Sequence, residues 1–278
     1  MYPLLVSIGP FHLYSLSVFV VLAWLVFSFL FWRALRSQGV DEEHIFNLTF
    51  YSTLVAFVFA RLVFVFLNME LFRESPLKII AIWVQPGMSL YGGLIGGLLV
   101  LVSLCRTYKV RVGYVLDAFG PAFGSAFLVG TIGAFLDGTY VGRITNLPWA
   151  VRFVGHLGRQ HPVELYEIAA MIGILIFIAI LARRGTQKKW PYGLLGLWFF
   201  AVTSVVMFVL EFFKDTRVYF NTLRANQLIL IALFAETIGA FYVRGGGREA
   251  IRPLVNRTAG KLSAFFGGIY AKFSKRTT

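Results

Sequence analysis

Two short polar stretches stand out in this sequence because they combine carboxylate, imidazole and guanidinium groups within a few residues. One runs from Asp137 to Arg143, and the other runs from His161 to Glu167. Carboxylate and imidazole groups can transfer protons, and a guanidinium can bind phosphate oxygens through paired hydrogen bonds. The two stretches are therefore candidates for acid–base chemistry beside an anionic group.

The second stretch also has a purely structural interpretation. His161 precedes Pro162, and proline is favoured in the first turn of a helix. Glu164 and Glu167 then fall in the opening turns, where carboxylates interact favourably with the positive end of the helix dipole. The same residues are typical of a well-capped helix start.

Several other kinds of site find no support in the sequence. The single cysteine, Cys105, excludes an internal disulfide, a thiolate metal cluster and a CxxC redox pair, and we expect it to be a small core residue. The histidines form no HxxxH or HExxH pattern, and the chain has neither a serine nucleophile elbow nor a P-loop. We therefore expect neither a metal site nor a bound cofactor.

Ionisable residues inside apolar segments are further candidates, because lipid does not tolerate an unpaired charge. Arg61 could bind a lipid phosphate, for which a planar guanidinium is well suited. Alternatively, it could reach to the outer surface or form a buried ion pair. Glu211, in an aromatic setting just before Lys214, could belong to a site or could orient an arginine. Asp117 opens another apolar segment, where a capping role and a functional role are equally open.

The composition identifies the class of protein that must position these groups. Of 278 residues, 58 % are hydrophobic and 14 % are charged, and the mean hydropathy is +0.74. Soluble domains contain about 45–50 % apolar and about 25 % charged residues. A soluble globule, a disordered chain and a coiled coil are all poor interpretations, so we expect a polytopic membrane protein.

The chain contains seven apolar segments, each long enough to cross a hydrocarbon core of about 30 Å. We expect the first not to be a cleavable signal peptide, because residues 1–11 carry no basic side chain and the apolar run is too long and lacks a small-x-small cleavage site. We therefore predict an all-α fold with a seven-helix transmembrane domain over residues 1–243 and a basic, partly amphipathic tail over 244–278. The segments lie approximately at 12–32, 45–67, 79–105, 115–136, 163–182, 193–213 and 226–243.

The distribution of basic residues predicts the orientation. The net charge is +13, which in a soluble protein would suggest nucleic-acid binding, but the basic residues cluster between apolar segments. With the N-terminus outside and the C-terminus in the cytoplasm, 17 Lys and Arg residues lie inside and 8 lie outside, as membrane proteins prefer. We expect no nucleic-acid partner, and we expect the tail to rest on the anionic cytoplasmic leaflet.

One external connection does not follow the preference for basic residues on the cytoplasmic side. Residues 138–162 form the longest predicted external connection and contain three arginines without an acidic residue. A basic loop on the outer face suggests contact with an anion. Glycines cluster nearby and in residues 91–97; close helix packing accounts for Gly93, Gly96 and Gly97. The glycines near Asp137 and Arg143 suggest instead a backbone that bends around a ligand.

With these stretches assembled, the sequence resembles the prolipoprotein diacylglyceryl transferase family of bacterial inner membranes over nearly all of residues 7–243. The most specific match is the His161–Glu167 block and its distance from Gly142-Arg143. The other matching stretches are Ser7–Pro10, Ala60-Arg61, Tyr91–Gly96, Asp117 with Pro121, Pro148–Val151, Glu211–Phe213 and Gln227.

The resemblance implies seven transmembrane helices with the N-terminus outside, in a multi-pass protein of the bacterial inner membrane whose active face is extracytoplasmic. It implies transfer of a diacylglyceryl group from phosphatidylglycerol to the lipobox cysteine of a prolipoprotein, with loss of glycerol phosphate. The partners would be phosphatidylglycerol, the lipobox peptide and membrane lipids. Such a site needs cations for the departing phosphate and a base for the thiol.

By the same resemblance, each candidate residue receives an expected role. Arg143, Asp137 and His161 are predicted to be catalytic. The predicted substrate-binding residues are Arg61, Tyr91, Gly92, Gly93, Gly142, Tyr166, Glu167, Glu211 and Lys214. In this prediction Arg61 and Arg143 contact the lipid phosphate and headgroup, and Asp137 or His161 moves the thiol proton.

The chain departs from the family pattern at five positions, one of which is Tyr91, where the family often has a histidine before the Gly-Gly pair. Thr131 replaces an arginine, Ala134 an asparagine, Thr139 a glutamate and, in the sixth segment, Met207 an arginine. Either the remaining Arg61, Arg143 and Lys214 supply the positive field, or the chain is a non-catalytic lipid- or lipoprotein-binding relative. A small-solute transporter is a lesser alternative, for which inverted repeats would be expected and none are visible.

Overall fold

The structure is a computed structural model that describes residues 4–8, 11–73, 75–153, 155–216, 218–220 and 223–244. The predicted basic tail, apart from Arg244, lies outside the described residues. The chain divides into two compact units, 1–234 and 235–278. The predicted boundary at residue 243 stays a prediction.

Seven α-helices occur in the described part of the chain, and all seven are long and apolar enough to cross a membrane. This confirms the predicted fold class and the number of spans. The helices are α1 (Ser15–Arg36), α2 (Glu42–Leu67), α3 (Leu90–Thr107), α4 (Val112–Asp137), α5 (Val163–Gln187), α6 (Leu194–Leu210) and α7 (Ala225–Arg244).

Two short antiparallel hairpins accompany the helices. Strand β1 (Leu4–Ile8) pairs with β2 (Phe11–Tyr14) directly before α1, with Ser7 opposite His12. Strand β3 (Val218–Phe220) pairs with β4 (Leu223–Arg224) directly before α7. Each hairpin therefore leads the chain into a membrane-spanning helix.

Within the first unit, close helix packing depends on glycine. Helix α1 packs against α4, α2 packs against α3, and α4 also contacts α5 and α6. A Cβ atom at Gly133 would lie 2.3 Å from Phe19, and one at Gly196 would lie 2.4 Å from the Leu116 oxygen. Small residues thus bring the backbones together, as is typical of helices in lipid.

Helix α3 begins eleven residues later than the sequence predicts. Pro86 and Gly87 precede it, and Gly87 has a φ of +144°, which favours glycine. Ser89 is the N-cap and accepts a hydrogen bond from the backbone N–H of Gly92 at 3.2 Å. Residues 79–89 therefore belong to the connection after α2, which also contains 3-10 turns at Met69–Leu71 and Pro76–Ile79.

The surroundings of Asp117 and Cys105 show a structural role for both residues. The Asp117 carboxylate accepts hydrogen bonds from the backbone N–H groups of Gly193 at 2.6 Å and Gly196 at 2.8 Å. It therefore links α4 to the start of α6 and satisfies backbone donors there. Cys105 is completely buried in the apolar core, as expected.

Candidate functional site

Lys214 lies at the centre of a buried ionic cluster. It follows the 3-10 turn Glu211–Phe213, which ends α6. Its Nζ atom lies 2.7 Å from Oε1 of Glu167 on α5 and 3.2 Å from Oε2 of Glu211. All three side chains are at most 5 % exposed. Two carboxylates from different elements therefore share one ammonium group.

Further polar groups surround this cluster. The ring of Tyr140 lies under the ammonium of Lys214, with 4.5 Å between Nζ and the ring centroid. Asn226, in the first turn of α7, donates a hydrogen bond to Oε1 of Glu211 at 2.8 Å. Tyr91 on α3 lies close enough for the charges of Lys214, Glu211 and Glu167 to act on its hydroxyl. The buried ammonium of Lys214 is thus surrounded by the connection after α4, the end of α6 and the beginnings of α3, α5 and α7.

The electrostatics of the cluster keep Lys214 charged. Burial by itself lowers the pKa of Lys214, but the carboxylates of Glu167 and Glu211 outweigh burial, so the net pKa is raised above its ordinary value. Burial also raises the pKa of Tyr140, so its hydroxyl stays protonated at neutral pH. The cluster is a stable ionic contact whose cation already has two anionic partners.

Arg143 is positioned by backbone hydrogen bonds from two other segments. Its N–H donates to the Phe213 oxygen at 2.8 Å, and its carbonyl accepts from the His161 N–H at 3.1 Å. Gly142, beside it, forms an antiparallel bridge with Lys214. A Cβ atom at Gly142 would lie only 2.1 Å from the His161 oxygen, so this crossing requires glycine.

The side chain of Arg143 is exposed. Among the described residues, no side chain or carbonyl oxygen accepts a hydrogen bond from its guanidinium or forms an ion pair with it. The backbone is therefore fixed while the charged group is available. A guanidinium in this state can bind an oxyanion with two parallel hydrogen bonds.

His161 is held by a short chain of side-chain hydrogen bonds. Trp149 Nε1 donates to the Tyr166 hydroxyl at 2.7 Å, and that hydroxyl lies 3.1 Å from Nδ1 of His161. Because tryptophan can only donate, the Tyr166 oxygen accepts and its hydrogen is available to Nδ1. With Nδ1 as the acceptor, neutral His161 carries its proton on Nε2 and presents a donor there.

Arg61 occupies a different kind of environment. It is buried, and its Nε, Nη1 and Nη2 atoms donate to the backbone oxygens of Ile79 at 2.9 Å, Gly87 at 2.9 Å and Lys78 at 2.7 Å. Its guanidinium also lies over the rings of Phe64 and Phe72, at 5.7 and 5.2 Å. Burial of Arg61 contradicts the predicted alternative of a side chain that reaches the surface. Among the described residues Arg61 forms no ion pair, so the other alternative has no partner there. Contact with lipid phosphate stays a prediction.

The remaining predicted site residues lie in two places. Gly92 and Gly93 pack on α2, where added Cβ atoms would meet Val63 and the Ala56 oxygen. Asp137 is half-buried at the end of α4 and accepts a hydrogen bond from Thr139 at 2.9 Å. The structure thus brings together Tyr91, Glu167, Glu211 and Lys214, and it places Gly142, Arg143, His161 and Tyr166 on the adjoining backbone.

Arg224 was not among the site residues predicted from the sequence, where it was only counted as one of the external basic residues. Arg224 is buried, and it donates from Nη2 to the Lys214 oxygen at 2.8 Å and from Nε to the Thr216 oxygen at 3.3 Å. Burial is the main cause that lowers the pKa of Arg224, and the positive charge of Arg143 adds to it. Nothing in its local sequence signals this position.

An apolar cavity lies beside the ionic cluster. Helices α3 to α7 line it, and Tyr91 is among its lining residues. Thr203 and Met207 on α6 also line it, and the buried Thr203 hydroxyl has no hydrogen-bond partner in the part of the chain that the structure describes. The site therefore combines an ionic rim with an adjoining apolar space.

Comparison with known proteins gives a consistent result. The sequence model of the family described as prolipoprotein diacylglyceryl transferase matches residues 3–243. A relative from Wolbachia pipientis subsp. Culex pipiens is 31 % identical over 252 residues, which cover 83 % of this chain and 90 % of the relative. One from Zymomonas mobilis is 30 % identical (80 % and 81 % covered), and one from Geobacter sulfurreducens is 28 % identical (77 % and 82 % covered). All three are named phosphatidylglycerol–prolipoprotein diacylglyceryl transferase.

Proposed function

This chain belongs to the prolipoprotein diacylglyceryl transferase family, and from that premise we propose that it transfers a diacylglyceryl group from phosphatidylglycerol to a prolipoprotein cysteine. The observation that carries the proposal is Arg143. Its backbone is fixed by Phe213 and His161, and its guanidinium is exposed and has no partner among the described residues. A transferase that releases a phosphate ester needs such a cation.

The reaction divides into a bond that breaks and a bond that forms. The bond between the diacylglyceryl carbon and the phosphate oxygen breaks, and the oxygen keeps the electron pair and leaves as glycerol phosphate. The cysteine sulfur forms the new bond to that carbon, and its proton passes to a base. Negative charge grows on the phosphate oxygen, where paired hydrogen bonds from Arg143 stabilise it.

We assign the thiol proton to Asp137 and a positioning role to His161. The Asp137 carboxylate accepts one hydrogen bond, from Thr139, and can accept a proton as well. His161 presents Nε2–H when Tyr166 donates to its Nδ1, so in that tautomer it donates a hydrogen bond rather than removing a proton. The substrate pocket would be shaped by Tyr91, Tyr166 and Glu167. Its external entrance would be kept ordered by Glu211 and Lys214.

We place the site on the extracytoplasmic face of a bacterial inner membrane. The connections 138–162 and 214–224 lie on the side predicted to be external by the excess of Lys and Arg on the other side. Phosphatidylglycerol can then enter from the outer leaflet, with its acyl chains in apolar surroundings and its phosphate at Arg143. The lipobox peptide would approach from the same face.

A second candidate function is binding of lipid or lipoprotein without transfer. It is favoured by Thr131 and Met207, which are both buried at positions where the family has arginine, and by the two carboxylates that neutralise Lys214. If this candidate is correct, the wild-type chain binds phosphatidylglycerol but transfers nothing, and the double variant T131R/M207R gains transfer.

The deciding experiment is complementation of bacteria depleted of their own diacylglyceryl transferase. We expect the wild-type chain to restore the mass increase of a reporter lipoprotein that corresponds to one diacylglyceryl group. Full expression in the membrane without any mass increase would contradict transfer and support the binding candidate.

A further inference from the structure

Arg224 is held rigidly at the junction of β4 and α7. Its backbone N–H donates to Oε1 of Gln227 at 2.9 Å, and the fully buried Gln227 side chain donates to the Phe208 oxygen at 3.3 Å. Its guanidinium donates to the oxygens of Lys214 and Thr216. Backbone and side chain of Arg224 are therefore both anchored, which fixes the position of its charge.

One nitrogen of this anchored guanidinium has no partner among the residues that the structure describes. Nη1 of Arg224 is buried and makes no hydrogen bond with them, and the Arg224 residue as a whole is only 2 % exposed. A buried donor without an acceptor is unfavourable, and a buried charge more so. In the described part of the chain, no carboxylate forms an ion pair with Arg224. The charges of Glu211 and Asp215 act on it from a longer distance, and the Glu211 carboxylate is shared by Lys214 and Asn226.

Arg143 lies on the same strip of backbone. Arg143 bonds to the Phe213 oxygen through its own N–H, and Arg224 bonds to the oxygen of the next residue, Lys214, through its side chain. The two positive charges are close enough to act on each other. Two guanidinium groups that repel each other, and that form no ion pair among the described residues, make a site that an anion would stabilise.

We infer that Arg224 and Arg143 together form a phosphate site, with Arg143 at the exposed entrance and Arg224 behind it. The inference rests on the proposed function, since the phosphate it assigns is that of the lipid donor. The anion meets Arg143 first, because that side chain is exposed. Arg224 then acts through its charge and, where the anion reaches the unpartnered Nη1, through a hydrogen bond.

The test compares R224Q with R224K in the reconstituted full-length protein. R224Q removes the positive charge, whereas R224K keeps the charge but lacks the planar guanidinium that can donate two parallel hydrogen bonds. We expect R224Q to raise KM for phosphatidylglycerol about tenfold or more, as loss of a guanidinium on a phosphate does, with KM for the lipobox peptide unchanged. R224K should recover part of the affinity. The control R73Q, at an exposed arginine of the connection after α2, should stay within about twofold of wild type.

A second measurement separates this inference from the proposed transfer. Native mass spectrometry measures retention of phosphatidylglycerol against the neutral lipid diacylglycerol, and a titration measures binding of inorganic phosphate. Retention that falls in R224Q supports the site even if the wild type transfers nothing. Binding of inorganic phosphate alone, lost in R224Q, supports the pair with a free anion as its ligand. Equal KM, equal lipid retention and equal phosphate binding in R224Q and wild type would overturn the inference.

Discussion

Arg61 and Arg143 carry the same side chain and are used in opposite ways. The Arg61 guanidinium is buried and donates to three backbone oxygens of the connection after α2. The Arg143 guanidinium is exposed, and it is the backbone of Arg143 that is held. The comparison teaches that an arginine near a membrane surface stabilises structure where carbonyl groups surround it and is available for chemistry where only its backbone is anchored.

The connection that binds Arg61 and the connection that contains Arg143 also differ from each other. In residues 68–89, the side chains of Leu77, Ile80 and Trp83 are 79 %, 76 % and 83 % exposed. The backbone oxygens that accept hydrogen bonds from Arg61 belong to the same connection. In residues 138–162, the arginines are exposed and the sequence contains no acidic residue. The first connection presents apolar side chains suited to the lipid interface, and the second presents positive charge suited to an anion.

The largest effect on folding is expected from K214M. Removing the ammonium leaves Glu167 and Glu211 buried without their common partner, which costs about 3–5 kcal/mol. Because the pKa of Lys214 is raised in the folded state, this stabilisation is fully present below the ordinary lysine pKa and is lost only as pH rises beyond it. Thermal unfolding in detergent measures the loss, and K188M, at an exposed lysine, is the control. Equal stability of K214M and K188M would contradict the ionic cluster.

The next effect distinguishes the two arginines directly. R61A leaves three backbone oxygens without a donor, and we expect a loss of about 3 kcal/mol in the free energy of unfolding. Its kcat per folded molecule should stay near that of wild type. R106A, at an exposed position on α3, controls for loss of charge. If R61A unfolds like wild type but raises KM for phosphatidylglycerol, Arg61 contacts the lipid, and the contrast with Arg143 fails.

A smaller effect is expected where the backbone of the second connection crosses. G142A forces a Cβ atom against the His161 oxygen, so we expect a loss of about 1–3 kcal/mol together with reduced transfer, since Arg143 is displaced. G173A is a matched control because a Cβ atom there meets nothing within 4 Å. Transfer and unfolding measured on both variants test whether the crossing positions Arg143. Wild-type behaviour of G142A would show that it does not.

The smallest effect concerns the hydrogen bonds by which Trp149 and Tyr166 hold His161. Y166F removes the acceptor for Trp149 and the hydroxyl that is hydrogen-bonded to Nδ1 of His161, at a cost of about 1 kcal/mol. We expect the proton of neutral His161 to redistribute between its two nitrogens, which nitrogen-15 chemical shifts of the labelled ring report. Y51F, at an exposed tyrosine, is the control. An unchanged tautomer in Y166F would remove Tyr166 from this role.

The sequence predicted the seven helices because a lipid-facing helix must be apolar over its whole length, and that property is visible in composition. It misplaced the start of α3 because the contacts that hold residues 79–89 outside the helix come from Arg61, 17 to 26 residues away. It predicted Glu211 and Lys214 as neighbours in the chain but not Glu167 as their common partner. Arg224 was overlooked because its importance depends on the carbonyls of Lys214 and Thr216, which no local pattern reveals.

The most direct test of the account is the transfer rate of R143A in the purified, reconstituted protein, measured by the mass of a lipobox peptide. We predict a rate at least about 100-fold below wild type, with an unfolding temperature like that of R159A, an exposed arginine of the same connection. A folded R143A protein that transfers the diacylglyceryl group at the wild-type rate would contradict the account.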